Sequence, residues 1–207
     1  MAMAAADESF VERGLFGGAI TCCIPANFYD VSNIREVPNN QEAFVDPNRD
    51  ESIIMELLEF KTDVVDERSS LWFLQDLAIE QGSEQTLVVE PENGITTADV
   101  PNLEASIPVN VTVGTLAVAK ARQGDDARNL VRVHLANIRL RGVETDVLIT
   151  VYEPLIINER SQSAAAVGAG TTVPAALAGC MAAPDVLKLV LSTFRICDWS
   201  LFGYADK

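Results

Sequence analysis

Four charged residues, Asp30, Arg35, Glu36 and Glu42, crowd into the stretch FYDVSNIREVPNNQEAF at residues 28–44. Carboxylates packed this closely offer two kinds of chemistry. Two of them converging in a deep pocket, with shifted pKa values, act as general acid and base. Spread over a surface, they attract a basic partner and steer its approach. The spacing alone fits both. Plainer readings stand beside them. Asp30 caps a helical turn, Glu42 is a solvated strand-edge charge, and Arg35 pairs with a local carboxylate.

The other reactive side chains are few. His134 is the only histidine and lies in a strand pattern between Val133 and Leu135. No nucleophile motif of the G-x-S-x-G kind accompanies it, so its role reads as structural. Cys22, Cys23, Cys180 and Cys197 show no C-x-x-C spacing, hence no zinc or redox signature. Neighbouring Cys22 and Cys23 in an apolar strand point to opposite faces and do not pair, which suits reduced thiols. Gly168 and Gly170 precede no Gly-Lys-Ser and complete no G-x-G-x-x-G after a strand. Neither standard nucleotide loop is present. Trp72 and Trp199 read as core or helix-packing residues rather than partner contacts.

Charge narrows the class of partner. The 207 residues include 30 acidic and 15 basic ones, a net charge of −15. Such a field repels nucleic acid and anionic membranes and favours basic partners. The start, MAMAAADESFVERGLFGG, carries Asp7, Glu8 and Glu12, unlike a secretory or transit leader. No apolar run approaches the roughly 18 residues of a membrane span. A soluble protein of the cytosol-continuous compartments is expected. Hydrophobic residues at 48% are enough for one sizeable core, hence a single domain.

The elements that must position these residues follow from pattern. Residues 1–14 read as a flexible tail, and the domain as 15–207. Phe16 to Ile24 is a strand closed by Pro25. Ser32 to Glu36 forms a helical turn capped by Asp30 or Ser32. Val37-Pro38-Asn39-Asn40 is a turn. Residues 53–60 are ambiguous, because Ile53, Ile54, Leu57 and Leu58 fit a helix face as well as a strand buried on both sides. Ser69-Ser70 caps a helix ending near Gly82. Residues 86–110 are loop-rich. Residues 109–121, 129–140 and 145–154 are strands joined by short connectors, hence antiparallel neighbours. Several are apolar on both faces, so helices lie above and below the sheet. Residues 158–182, rich in Ala and Gly, read as a flexible insertion. Pro184 and Asp185 open a last helix that packs through Leu187, Val190, Leu191 and Phe194.

Several segments, in one order, carry a resemblance. They are L-F-G-G-A-I at 15–20, D-V-S-x-x-R-x-V-P-x-N-Q-E-x-F from Asp30 to Phe44, and S-I-I-x-E-L-L-E at 52–59. Val118-Ala119-Lys120, Thr145-Asp146-x-L-I-T and D-W-S-L-F-G at 198–203 complete the set. Together they run nearly end to end, with gaps at 86–108 and 158–182. The chain resembles the Ran guanine nucleotide release factors, the Mog-type Ran-binding proteins.

The resemblance implies an α/β (α+β) sandwich like the photosystem PsbP fold. Its central, mostly antiparallel sheet would have about six strands with helices on both faces. It makes residues 53–60 a strand. It implies binding to the GTPase Ran and release of its guanine nucleotide, in nucleocytoplasmic transport. This is action by binding, not an enzyme activity, and no cofactor or metal is implied. A monomer shared between nucleus and cytoplasm is expected. The family's functional positions fall on Asp30, Asn39 and Glu42, with a second acidic pair at Glu56 and Glu59 and Arg35 in the same segment. Positions 33 and 39, usually Asp in the family, are Asn here, which removes two charges. A carboxylate from Asp30 or Glu42 would compete with phosphate for Ran's phosphate-loop lysine or disturb its Mg²⁺. Glu42→Lys should then slow release at unchanged thermal stability. The rival reading is an acidic trafficking adaptor of the same fold with another partner.

Overall fold

The computed structural model describes residues 9–91, 99–119 and 123–203. In chain order, the first five strands are β1 (Phe10–Leu15), β2 (Ile20–Pro25), β3 (Tyr29–Asp30), β4 (Gln41–Asp46) and β5 (Glu51–Glu59). Helix α1 (Ser69–Glu80) precedes β6 (Val88–Val89), β7 (Val109–Val118), β8 (Asn129–Leu140) and β9 (Thr145–Ile157). Then come α2 (Gln162–Val167), β10 (Gly170–Thr171), α3 (Ala175–Ala178), α4 (Ala183–Thr193) and β11 (Arg195–Ile196).

Strands β8 and β9 form the centre because they are apolar at both parities. On β8, Val131, Val133 and Leu135 face α1 and pack with Phe73 and Leu74. Ala136, Ile138 and Leu140 face the other way, packing with Val147, Ile149 and Val151 of β9 and with Val186, Leu187, Val190 and Leu191 of α4. A strand sandwiched in this way loses simple alternation and reads as a continuous apolar run. The same holds for β5, where Ile53 and Met55 are buried on the α4 side while Leu58 packs on the α1 side. Tertiary burial, not helical period, explains IIMELLEF, and the strand implied by the resemblance is what forms.

The sheet order is β3-β4-β5-β9-β8-β7-β6, with β10 on β9, all antiparallel. The expected count of about six strands is corrected: among the described residues this sheet has eight, and a separate three-stranded sheet runs β1-β2-β11. The small sheet joins α4 in covering one face, through Leu15, Ile20, Cys22 and Ile24.

Several local readings are also corrected. Residues 10–14, read as part of the tail, belong to β1, which pairs with β2; the mostly exposed side chains of β1 hid it from a burial pattern. Residues Phe16–Gly18 form a 3-10 turn rather than a strand, with Gly17 and Gly18 at φ of 69° and 91°. Only glycine adopts such values freely. Ser69 and Ser70 do not cap α1. Both are buried inside it, where Ser69 accepts a bond from Asn110 and Ser70 pairs with Thr112 at 2.7 Å. Residues 158–182 carry α2, β10 and α3. The buried Asn129 side chain donates to Ser161 and Ser163 and accepts from the Asn158 amide, so the segment's start is held. Lys120, the last residue of one matching segment, lies outside the described residues. Among those described, no helix is long and apolar enough to cross a membrane.

Helix α1 sits close over β7 at Gly114. A Cβ there would lie 2.9 Å from a Leu74 methyl and 3.2 Å from the Val88 carbonyl oxygen. The backbone oxygen has little room to give. Gly114→Ala is therefore expected to cost about 1–3 kcal/mol, measured by urea unfolding.

Candidate functional site

Strand β4 organises the acidic segment. Asp30 is opposite Phe44 in the β3–β4 register, and Glu42 lies two residues along β4 from Phe44. Alternation puts Asp30, Glu42 and Phe44 on one face, the α4 side. Asp30 caps the 3-10 turn Val31–Asn33 by accepting from the Ser32 amide at 2.8 Å, as the capping reading expects. Arg35 is exposed and has no ion-pair partner among the described residues. Asn39 is exposed in the turn that Gln41 N closes on Pro38 O.

Glu42 is neither an isolated nor a fully solvated charge. It is half-buried, and its Oε1 accepts the backbone N–H of Phe16. Phe16 sits at φ 50°, a left-handed value unusual outside glycine, in the L-F-G-G turn. The Glu42 carboxylate thus ties that turn to the main sheet. The first and second matching segments meet at this bond.

Glu56 and Glu59 separate. Glu56 pairs across β4–β5 with Gln41, so it faces α1, opposite to Glu42. It accepts from Gln41 Nε2 and lines a small groove with Asp76, Glu80 and Tyr152. Burial raises its pKa above the usual carboxylate value, with Glu80 adding to the rise and the Gln41 bond opposing it. Glu59 is exposed at the end of β5, on the Glu42 side by alternation. Asp30, Glu42 and Glu59 therefore share one face of the sheet and Glu56 lies on the other, while Arg35 and Asn39 are exposed in the connection between β3 and β4.

The raised Glu56 gives a directional prediction. A carboxyl with a higher pKa folded than unfolded is protonated preferentially in the folded state. Stability therefore falls as pH rises from the unfolded value through the folded one. Glu56→Gln removes this titration while keeping an acceptor for Gln41. The variant should melt higher than wild type at neutral pH, with the difference closing as the pH drops below the ordinary Glu range.

The remaining chemistry-bearing residues lie outside this segment. His134 is buried, with Nε2 3.5 Å from Glu153. That bond, with Arg132 nearby, holds Glu153 below its ordinary value. Burial pushes the Cys22 thiol up to about 12, while Cys23 is half-buried on the opposite side of β2. All four cysteines are free thiols. Trp72 packs edge-on against Phe73. Trp199, expected in the core or packed on a helix, is 47% exposed, with its ring 5.8 Å from that of Phe202. Sequence reading also missed the exposure of Tyr29 and Ile34 beside Asp30.

A family model described as Ran-interacting Mog1 protein matches residues 13–154, a span that includes the L-F-G-G turn, β4 and β5. The chain belongs to the Mog1 family. A Mog1 relative in Danio rerio, named Ran guanine nucleotide release factor, is 33% identical over 93% of this chain and 100% of its own. A Dictyostelium discoideum protein named probable Ran guanine nucleotide release factor is 34% identical over 94% and 97%. The nuclear import protein MOG1 of Saccharomyces cerevisiae is 30% identical over 93% and 84%. The crystal structure of the Saccharomyces cerevisiae Ran-binding protein Mog1p superposes with a TM-score of 0.64, at 25% identity, over 95% of this chain and 100% of its own. The mixed α/β fold with antiparallel sheets is thus the Mog1 fold.

Proposed function

We propose that this chain binds Ran and promotes release of its guanine nucleotide, acting by binding rather than by bond-making chemistry. The observation that carries this is the full-length similarity to relatives named Ran guanine nucleotide release factors. The binding surface is the rim formed by Asp30, Arg35, Asn39, Glu42 and Glu59. Glu56, on the other face, serves the sheet and α1 instead.

The rim suits an attack on a phosphate site. Asp30 and Glu42 are each held through one oxygen by a backbone N–H. The second oxygen of each is left to meet the partner. A GTPase holds its nucleotide through a phosphate-loop lysine and Mg²⁺, both of which favour anions. A fixed carboxylate competes with phosphate for them. Binding that prefers the nucleotide-poor form must weaken nucleotide affinity by the same factor, through linkage. The chain acts as a monomer, in nucleus and cytoplasm, and its charge of −15 disfavours nucleic acid.

The test is release of a fluorescent guanine nucleotide from purified Ran, with an unrelated small GTPase as control. Acceleration confined to Ran supports the reading. Binding without acceleration would reduce the chain to a Ran-binding module, the effect expected if Asn33 and Asn39 cost too much charge. Neither binding nor acceleration would favour an adaptor with another partner.

A further inference from the structure

A cavity of about 310 Å³ opens beyond the end of β8, lined by Ile107, Pro108, Leu140, Val143 and Trp199. Trp199 begins the 3-10 turn Trp199–Phe202, which Asp198 caps through the Ser200 amide. Leu201 and Phe202 of this turn pack on the main core, yet the indole stays about half exposed. A rigidly held, exposed Trp beside an open apolar hollow has the composition of an interface anchor. The volume is at the bottom of the roughly 300–1,000 Å³ range of ligand pockets, room for a side chain or two.

Backbone hydrogen bonds tie the elements around the cavity to those that carry Glu42 and Glu59. Cys197 N and Asp198 N both donate to Ala19 O, three residues from Phe16, whose N–H rests on Glu42. On its other side, Val143 adjoins Glu144, whose carbonyl accepts from Phe60 N next to Glu59. Charge selects the occupant. Exposed Glu104 lines the cavity, and exposed Glu144 and Glu59 stand near it. The two cations on the lining are both paired, Arg139 with Asp146 and Asp66 and Arg141 with both oxygens of Asp66. An acidic occupant is repelled, and an apolar side chain flanked by Lys or Arg is favoured.

The geometry points to this cavity as the anchor site for an apolar side chain on a basic face of the partner. It rests on the reading that the partner is Ran, and extends the surface from the acidic rim to Trp199. The contact supplies affinity, while the rim carboxylates supply displacement of the nucleotide.

The test is calorimetric titration of Ran with the whole chain and two variants. Trp199→Ala removes the anchor wall. Gly142→Phe fills the mouth: Gly142 lines the cavity and a Cβ there meets nothing within 4 Å, so the fold tolerates it. Each should weaken binding about tenfold or more, the loss typical of an interface hot spot. Where Trp199→Ala lowers the melting temperature, Gly142→Phe decides. Wild-type affinity retained by both variants overturns this inference and leaves the Ran reading standing. A wild-type chain that does not bind Ran overturns both. Conversion of a free dimer to monomer by Trp199→Ala, with Ran binding intact, would make the cavity a self-association site and also overturn it.

Discussion

Replacing Arg139 with Met lowers the unfolding free energy by about 3–5 kcal/mol, read from the urea midpoint at unchanged slope. Arg139 is a charged side chain with 1% exposure, set at the end of the central strand β8. Its Nε bonds Asp146, which is itself fully buried. Its two terminal nitrogens reach Asp66 and the carbonyl oxygens of Val64 and Lys61. Its guanidinium lies 4.1 Å over the Phe60 ring. One side chain thus ties down three points of the connection between β5 and α1. Methionine fills comparable space but donates nothing. It leaves two carbonyl groups with a lost partner and one buried carboxylate with its charge uncompensated.

The buried pair is not assigned that whole energy as a net gain, since desolvation offsets much of the Coulomb attraction. The loss arises from breaking one side of it. The double variant Arg139→Met, Asp146→Asn should therefore recover a substantial part of the loss. Asparagine removes the stranded charge but keeps a single acceptor oxygen, so it serves only one of the two donors, Asn137 and the Lys61 amide, that bond separate oxygens of Asp146 in the native chain, and the recovery is incomplete. A single variant within about 1 kcal/mol of wild type, below even the typical cost of an unpaired buried charge, would refute this account of the network.

Glu42→Gln should slow the release of nucleotide from Ran that the chain promotes about tenfold, equivalent to about 1.4 kcal/mol of differential binding, with the melting temperature nearly unchanged. Glutamine keeps an oxygen for the Phe16 N–H and removes only the charge. Glu42→Lys, by contrast, should both slow release and lower stability by about 1–3 kcal/mol, because it orphans that amide. With that bond in place, charge reversal is expected to change stability as well as release. A surface carboxylate that ties down a left-handed turn has two roles, and only the isosteric variant separates them. Adding salt should weaken the wild-type effect more than that of Glu42→Gln. If Glu42→Gln released nucleotide as fast as wild type, the Glu42 charge would not be the group that meets Ran.

Much of this architecture is legible from residue order because local physics writes it there. Runs that are apolar at both parities, such as NLVRVHLANIRL, mark strands covered on both faces. Short connectors make consecutive strands antiparallel. The Pro184–Asp185 start and the spacing of Leu187, Val190 and Leu191 mark α4. The ambiguous 53–60 resisted pattern reading for a definite reason. Burial on both sides erases the period of two that distinguishes a strand, and resemblance to known sequences supplied what periodicity lacked.

The sequence by itself determined the acidic character of the surface, the central strands, the final helix and the family membership. Only the tertiary structure decided which charges share a face. Glu42 and Glu56 both sit in acidic segments, yet β4–β5 pairing turns them to opposite sides of the sheet. The Glu42–Phe16 bond joins residues 26 apart, and β11 reaches back to β2 from the far end of the chain. Trp199 has the composition of a core residue and stands half exposed. Propensity and periodicity act over a few residues, whereas strand register and the meeting of distant turns are set by how whole faces pack. A side chain's type is local, but its orientation is fixed by its long-range neighbours.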